Sequence, residues 1–323
     1  MKPGPNSAAD WLNLFVAATA TGLLAGFLFY LAHPAWPAGS GVELSVSDVA
    51  KRIYWVWLEH LGNYWLVAGS AVIFLLQFFI PADRDQPLFC RGLLVDAGYL
   101  AMMVPFIALV APLYWDYLRF LVVDGAGFSP GILMDGVPGW IGILLGYLAV
   151  DFLGWLHHLV RHKVPFFWRF HRVHHSQTEM NPLTNYRLHP LDWLNAQTIK
   201  LVPALILVDS FGLVLAYLAF HSLHDRLNHS NIRGTFGPLR YVFVTPQSHR
   251  IHHSSQAEHF DSNFGVSLSI WDRLFGTQHP DAVSYPETGF PQQSKATAEA
   301  GPAVPAPVGL LKRITYPIAQ YDR

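Results

Sequence analysis

His171-Arg-Val-His174-His175-Ser176 and His249-Arg-Ile-His252-His253-Ser254 are two nearly identical hexapeptides 78 positions apart, each with three histidines. On a helix, the first histidine of H-x-x-H-H shares a face with the fourth and fifth positions, because residues three and four apart are neighbours. Three imidazoles then point at one small region. Two can serve one metal ion and the third its neighbour, so the two copies offer six nitrogens to a pair of ions.

Other histidines extend the pattern. His158 and His162 are four apart; His224 and His229 are five apart, a spacing that calls for a bulge or a helix end. On an ideal helix, positions five apart differ by about 140° and positions eight apart by about 80°. His221, eight residues before His229, therefore competes with His224. The candidate catalytic and metal-binding set is His158, His162, His171, His174, His175, His224, His229, His249, His252 and His253. Asp151, Glu179, His189, His221 and Asp225 are candidates to orient their rings from behind. His33, His60, His259 and His279 stand alone and read as surface or hydrogen-bonded residues.

Ten clustered rings imply neutral imidazoles, which metal binding enforces. Nitrogen ligands suit iron, zinc, copper or nickel, whereas magnesium and calcium take oxygen. A structural zinc needs four ligands, so ten imply a binuclear site. The Glu-x-x-His pattern of soluble di-iron bundles does not occur.

The chain has 323 residues, 52% of them hydrophobic and 13% charged, with positive mean hydropathy. A soluble domain carries about 25% charged residues, so the deficit points to an integral membrane protein. The net charge of −1 gives no basic surface for nucleic acid. Cys90 is the single cysteine, which excludes an internal disulfide and a cysteine-held zinc or iron–sulfur site. The expected fold is all-α, with four to five transmembrane or re-entrant helices under a helical cap holding the binuclear site.

Residues 11–32 carry no charge and exceed the roughly 20 residues needed to cross a bilayer. Residues 64–80 end at Pro81; residues 97–115 contain Pro105 and Pro112, where kinks are expected; residues 139–150 continue past Asp151 towards His158. Residues 201–220, broken by Pro203 and Asp209, fit a span, a re-entrant hairpin or a bent helix. Trp36, Tyr54, Trp55, Trp57, Tyr64 and Trp65 mark the span ends as interfacial rings, and residues 45–61 read as an interfacial helix or a loop. Arg161, Lys163, Arg169 and Arg172 follow the fourth span, which places the cap in the cytoplasm. The organisation is then 1–137 transmembrane, 138–285 the histidine-rich catalytic domain, and 286–323 a flexible tail.

The flanking residues add a resemblance. Asp151 to His162, Pro165 to Ser176, Tyr186-Arg-Leu-His189-Pro190, His229-Ser-Asn-Ile232, Thr245 to Ser254 and Ile270 to Thr277 are similar to the successive histidine boxes and closing segment of the fatty acid hydroxylase/sterol desaturase superfamily. It covers about residues 151–280. Trp155 stands where many members have Tyr, and Leu159 where many have Arg. The resemblance favours His224 over His221. It implies a membrane-bound monooxygenase with two iron ions, replaceable by zinc on purification, that hydroxylates, desaturates or cleaves a lipid substrate with O2. No G-x-G-x-x-G fingerprint or cysteine cluster occurs, so electrons must come from an external donor: a cytochrome b5-like protein, a ferredoxin or a reductase. Arg161, Lys163, Arg169 and Arg172 are its candidate docking patch.

Two other classes fit less well. A zinc-dependent membrane hydrolase is compatible with H-x-x-H-H, but H-E-x-x-H is absent. A b-type haem carrier or a metal transporter would place histidines deep inside facing spans, whereas these gather at span ends and beyond.

Overall fold

A computed structural model describes residues 18–26, 28, 64–128, 137–207 and 211–291. The expected span 11–32 falls within it only at 18–26 and 28, which are helical; residues 45–61, Trp36, Tyr54, Trp55, Trp57, His33, His60 and the chain beyond 291 lie outside the described residues. The described residues are helical, joined by turns and three isolated β-bridges, with no strand among them.

Helix α1 (Tyr64–Phe79) has 16 residues and no charge, and stops two residues before Pro81 as its sequence dictates. It turns Val67, Val72, Leu75, Phe78 and Phe79 outward. Helix α2 (Arg91–Arg119) starts on Cys90, whose Sγ accepts the Leu93 amide, and runs through Pro105 and Pro112 into a π-helical turn, Phe120–Gly125. Among the described residues, the stretch Arg91–Gly125 is the one helix long and apolar enough to cross a membrane.

Helix α3 (Gly139–Lys163) passes through Asp151 without interruption and delivers His158 and His162. Val164 is extended and Pro165 opens α4 (Pro165–His171), as proline does at a first helical position. The expected run 201–220 is divided between α5 (Pro190–Leu207) and α6 (Phe211–Asn228); Pro203 lies within α5. Helix α7 (Pro246–His252) begins with a capping box, Thr245 and Ser248 exchanging side-chain and backbone hydrogen bonds, and α8 (Ile270–Leu274) is the last α-helix among the described residues.

Helix α3 lies at the centre, against α4, α5 and α6; α1 packs on α6, α2 on α5, and α6 on α7. Tyr114, Tyr117 and Leu118 of α2 meet Leu194 of α5 in the apolar core.

Buried polar anchors tie the helices to the cap. Asp96, fully buried on α2, accepts hydrogen bonds from Gln177 Nε2, Asn181 Nδ2 (2.8 Å), Thr184 Oγ1 (2.9 Å) and Arg187 Nε (2.6 Å). One carboxylate thus fixes the whole loop after the first hexapeptide. Asn231 does the same between α1 and α6: its amide donates to Gln77 Oε1 and its side chain exchanges bonds with Asp83. The start of the expected tail is pinned as well. Arg250 Nε donates to the Pro286 carbonyl, and the Gly289 amide to that of His253.

Candidate metal centre

The hexapeptides do not share one helical form. His171 ends α4 and His174 and His175 sit on a 3₁₀ turn, His174–Ser176, whereas His249 to His252 lie on α7 with His253 as its C-cap. The spacing still sorts the rings in the same way. His171 and His175 join His158, His162 and His252 in one group; His249 and His253 join His174 and His229 in another. Within each group, one ring nitrogen per residue lies within 4.8 Å of all the others. Each hexapeptide thus gives its i, i+4 pair to one group and its middle histidine to the other. The groups share a wall, where the rings of His175 and His253 stack 4.3 Å apart.

All nine rings are buried. Outer nitrogens of four of them meet acceptors. Nδ1 of His158 reaches the Phe264 carbonyl (3.0 Å), Nδ1 of His171 reaches Asp192 Oδ2 (3.1 Å), and Nδ1 of His252 reaches the Ser262 carbonyl (2.7 Å). Nδ1 of His229 meets the Asp225 carbonyl (2.8 Å) and Asp225 Oδ1 (3.1 Å). A nitrogen facing an acceptor carries the proton, so Nε2 of each ring presents its lone pair inward. In the first group Nε2 of His158, His171 and His252 has no hydrogen-bond partner.

In the second group Nε2 of His229 lies 2.9 Å from Nε2 of His249 and 3.0 Å from Nε2 of His174; His253 Nε2 is 3.2 Å from His249 Nε2. One in-plane lone pair cannot accept from both neighbours. The spacing fits a cation instead: nitrogens about 2.0–2.1 Å from one metal and at right angles around it are about 2.9 Å apart. Buried imidazole nitrogens gathered this closely in two adjoining groups could hold metal.

Burial is the main reason that His171, His174, His175, His249, His252 and His253 are held well below the ordinary histidine pKa, with neighbouring rings adding to it. The rings are therefore neutral at physiological pH, the form that binds metal.

The loop that supplies the carbonyls is itself built with care. Asp261 and Asn263 adopt left-handed backbone (φ 56° each) on either side of Ser262, a conformation Asp and Asn tolerate better than most residues. Buried Asp272 accepts from the amides of Phe264 (2.8 Å) and Gly265 (2.7 Å) and from Trp155 Nε1 (3.0 Å), which sets the Phe264 carbonyl against His158. Gly265 is required there, since a Cβ would fall 2.7 Å from Val244 Cγ2 and 2.8 Å from Asp272 Oδ2.

Of the ten expected ligands, His224 is not gathered in. Helix α6 is regular through Asn228, so five positions of separation turn His224 away from His229. Its ring stacks on Phe220, and its Nε2 lies 2.9 Å from the Val244 carbonyl. His221 is in neither group; its Nδ1 lies 3.4 Å from Ser267 Oγ. Asp225 stands behind His229. Asp151 instead accepts from the Ser267 and Leu268 amides and Trp271 Nε1, holding the closing segment. His189 Nδ1 accepts the Leu191 amide at the start of α5, and Glu179 accepts the Gly92 amide. Arg161, expected on an exposed docking patch, is buried and pairs with Asp192 (2.9 Å). The pair is internal because Asp192 needs a counter-charge.

Asp192, Asp261 and Trp168 were not legible as site residues. Asp192 holds His171 and Arg161 together. Asp261 Oδ1 lies 3.6 Å from His162 Nδ1, and Trp168 packs on His162 and His175. The one available signal was Asp192 in the first turn after His189-Pro190. An apolar cavity of about 470 Å³ is lined by Tyr114, Leu156, Val160, Phe167, Leu194 and Thr198, among others. Leu156 and Val160 are each two residues from His158 and His162, about 200° around the helix. The cavity therefore lies across α3 from the histidines.

Residues 143–277 match the family model described as fatty acid hydroxylase. Over this segment the chain is similar to the fatty acid hydroxylase family. The matched fatty acid hydroxylase segment contains all nine clustered histidines. Alkylglycerol monooxygenase of Caenorhabditis elegans is 28% identical over 271 residues, 80% of this chain and 48% of that protein. Ornithine lipid hydroxylase OlsE of Rhizobium tropici is 32% identical over 145 residues, 45% of this chain and 44% of that protein. Very-long-chain aldehyde decarbonylase GL1-7 of Oryza sativa subsp. japonica is 26% identical over 175 residues, 50% of this chain and 26% of that protein. The chain thus spans about half the length, or less, of these curated relatives. No solved structure matches it.

Proposed function

We propose that this chain is a membrane-bound oxidoreductase that uses two iron ions and O2 to oxidise a lipid. The observation that carries the proposal is the convergence of buried imidazole nitrogens in two adjoining groups, each within 4.8 Å. His158, His162, His171, His175 and His252 would hold one ion, and His174, His229, His249 and His253 the other. Iron held there would supply the chemistry that reduces O2 to an oxidant able to attack an unactivated C–H bond. The fatty acid hydroxylase match and the lipid-oxidising relatives support iron over other metals that accept nitrogen ligands.

The chain's own residues supply the geometry. Asp192, Asp225 and the carbonyls of Phe264 and Ser262 fix the protonated face of four rings, leaving the other face for metal. Phe264 and Trp168 pack against the first group and limit water there. The apolar helix α2 and the outward apolar face of α1 suit a bilayer, from which a lipid would enter sideways. Exposed Lys163 and Arg169 at the cap side favour a cytoplasmic cap and an external electron donor docked on it.

The test is metal analysis of the purified full chain with an oxygen-uptake assay on bilayer lipids and mass spectrometry of the products. About two irons per chain and oxygen-dependent lipid products are expected. A preparation that is folded and active with fewer than two metals would overturn the binuclear reading; products formed without oxygen would overturn the oxygenase reading.

A further inference from the structure

The metal centre leaves one apolar and cationic surface unused. The 3₁₀ turn Gly237–Tyr241 and helix α8 come from distant parts of the chain and lie side by side. The Ser269 amide donates to the Val242 carbonyl (2.8 Å), and both Ser269 Oγ and Arg273 Nη2 donate to the Arg240 carbonyl. Together they expose Leu239, Tyr241, Val242, Leu274 and Phe275, between 42% and 71% of each residue. The guanidiniums of Arg240 and Arg273 sit 5.2 and 4.6 Å from the Tyr241 ring centroid.

Two observations say what covers this surface. It continues the apolar exterior of α3: Phe275 stacks on Trp155 (4.6 Å) and meets Phe152 (5.9 Å), and exposed Leu144 and Leu145 lie further along the same helix. It also carries two cations. The guanidiniums of Arg240 and Arg273 line a groove of about 460 Å³ with Gln278 and His279. Two carboxylates line it as well: Asp272 is buried against Trp155 and the Phe264 loop, and Asp281, kept ionised by hydrogen bonds from Ser284 and Val283, makes no ion pair with either arginine. Apolar side chains ringed by arginines on a tyrosine suit the headgroup level of a bilayer, where long cations keep their stems apolar and their heads wet.

We propose that Leu239, Tyr241, Val242, Leu274 and Phe275 insert into the bilayer interface and that Arg240 and Arg273 bind the phosphates of anionic phospholipids. The inference rests on the membrane setting proposed above, and not on the metal or the reaction. The full chain is placed in nanodiscs of phosphatidylcholine with or without phosphatidylglycerol, and spin labels are attached at Leu239→Cys, Leu274→Cys and, as an exposed control, Lys163→Cys. Labels at 239 and 274 collide more with oxygen than with a water-soluble nickel chelate, and the label at 163 does the reverse. Labels at 239 and 274 that behave like the control overturn the insertion. Native mass spectrometry then reads the phosphatidylglycerol retained over phosphatidylcholine. The double variant Arg240→Gln, Arg273→Gln lowers that preference roughly thirtyfold, about fivefold for each cation at an anionic surface. An unchanged preference, or none in the parent, overturns the arginine assignment. Metal content is read in the same discs, so that loss of metal with intact insertion counts against the oxygenase reading alone.

Discussion

Asp192→Asn separates orientation of a ligand from stability. Asp192 is fully buried, and its Oδ2 accepts both Nη1 of Arg161 and Nδ1 of His171. An amide keeps the shape but removes the charge. It leaves Arg161 as a buried cation without its partner, which costs about 3–5 kcal/mol. It also weakens the grip on the His171 tautomer, and losing such a contact typically lowers metal affinity about 10–100-fold. The two costs can be told apart with Arg161→Met, which removes the unpaired cation. The double variant should regain most of the unfolding midpoint lost by Asp192→Asn, while its metal affinity stays low because His171 still lacks a carboxylate. Thermal unfolding of the apo chain in detergent and competition with a chelator read the two quantities separately. If Asp192→Asn keeps its metal affinity within about twofold of the parent, Asp192 does not orient His171.

His229→Ala should leave about one metal per chain, whereas His224→Ala should keep both and lose only stability; metal analysis of the two variants separates a ligand from a packed ring. Acidification should destabilise the apo chain. The buried histidines have folded pKa values below their unfolded value near 6.5, so the unfolded state binds more protons and stability falls with pH from about 6.5 downward, by up to about 1.4 kcal/mol per ring per pH unit. An unfolding midpoint that is flat between pH 7.5 and 5.5 would contradict that placement. Gly265→Ala forces a Cβ into Val244 and Asp272 and should cost about 1–3 kcal/mol of stability, read as a lowered unfolding midpoint, with weaker metal binding because Phe264 shifts from His158.

The clustering of nine histidines was legible in the sequence because their spacing is local. His158/His162, His171/His175 and His249/His253 are i, i+4 pairs, and one turn of backbone fixes their shared direction whatever surrounds them. Helical character was legible for the same reason, in long uncharged runs. Which nitrogen turns inward was not, because it depends on acceptors such as the carbonyls of Phe264 and Ser262, and every residue has a carbonyl. The fate of His224 was decided by whether α6 stays regular near Asp225, a choice set by its packing on Phe220 and Val244. Arg161 reads as one more surface cation beside Lys163; only the fold brings Asp192, 31 positions away, to its side. Likewise, Asp96 looks like a stray charge in an apolar helix until the chain returns with Gln177, Asn181, Thr184 and Arg187. Sequence determined the donors because their grouping needs one turn of helix; tertiary structure decided their partners because a buried polar group must be satisfied by whatever the folded chain brings within reach.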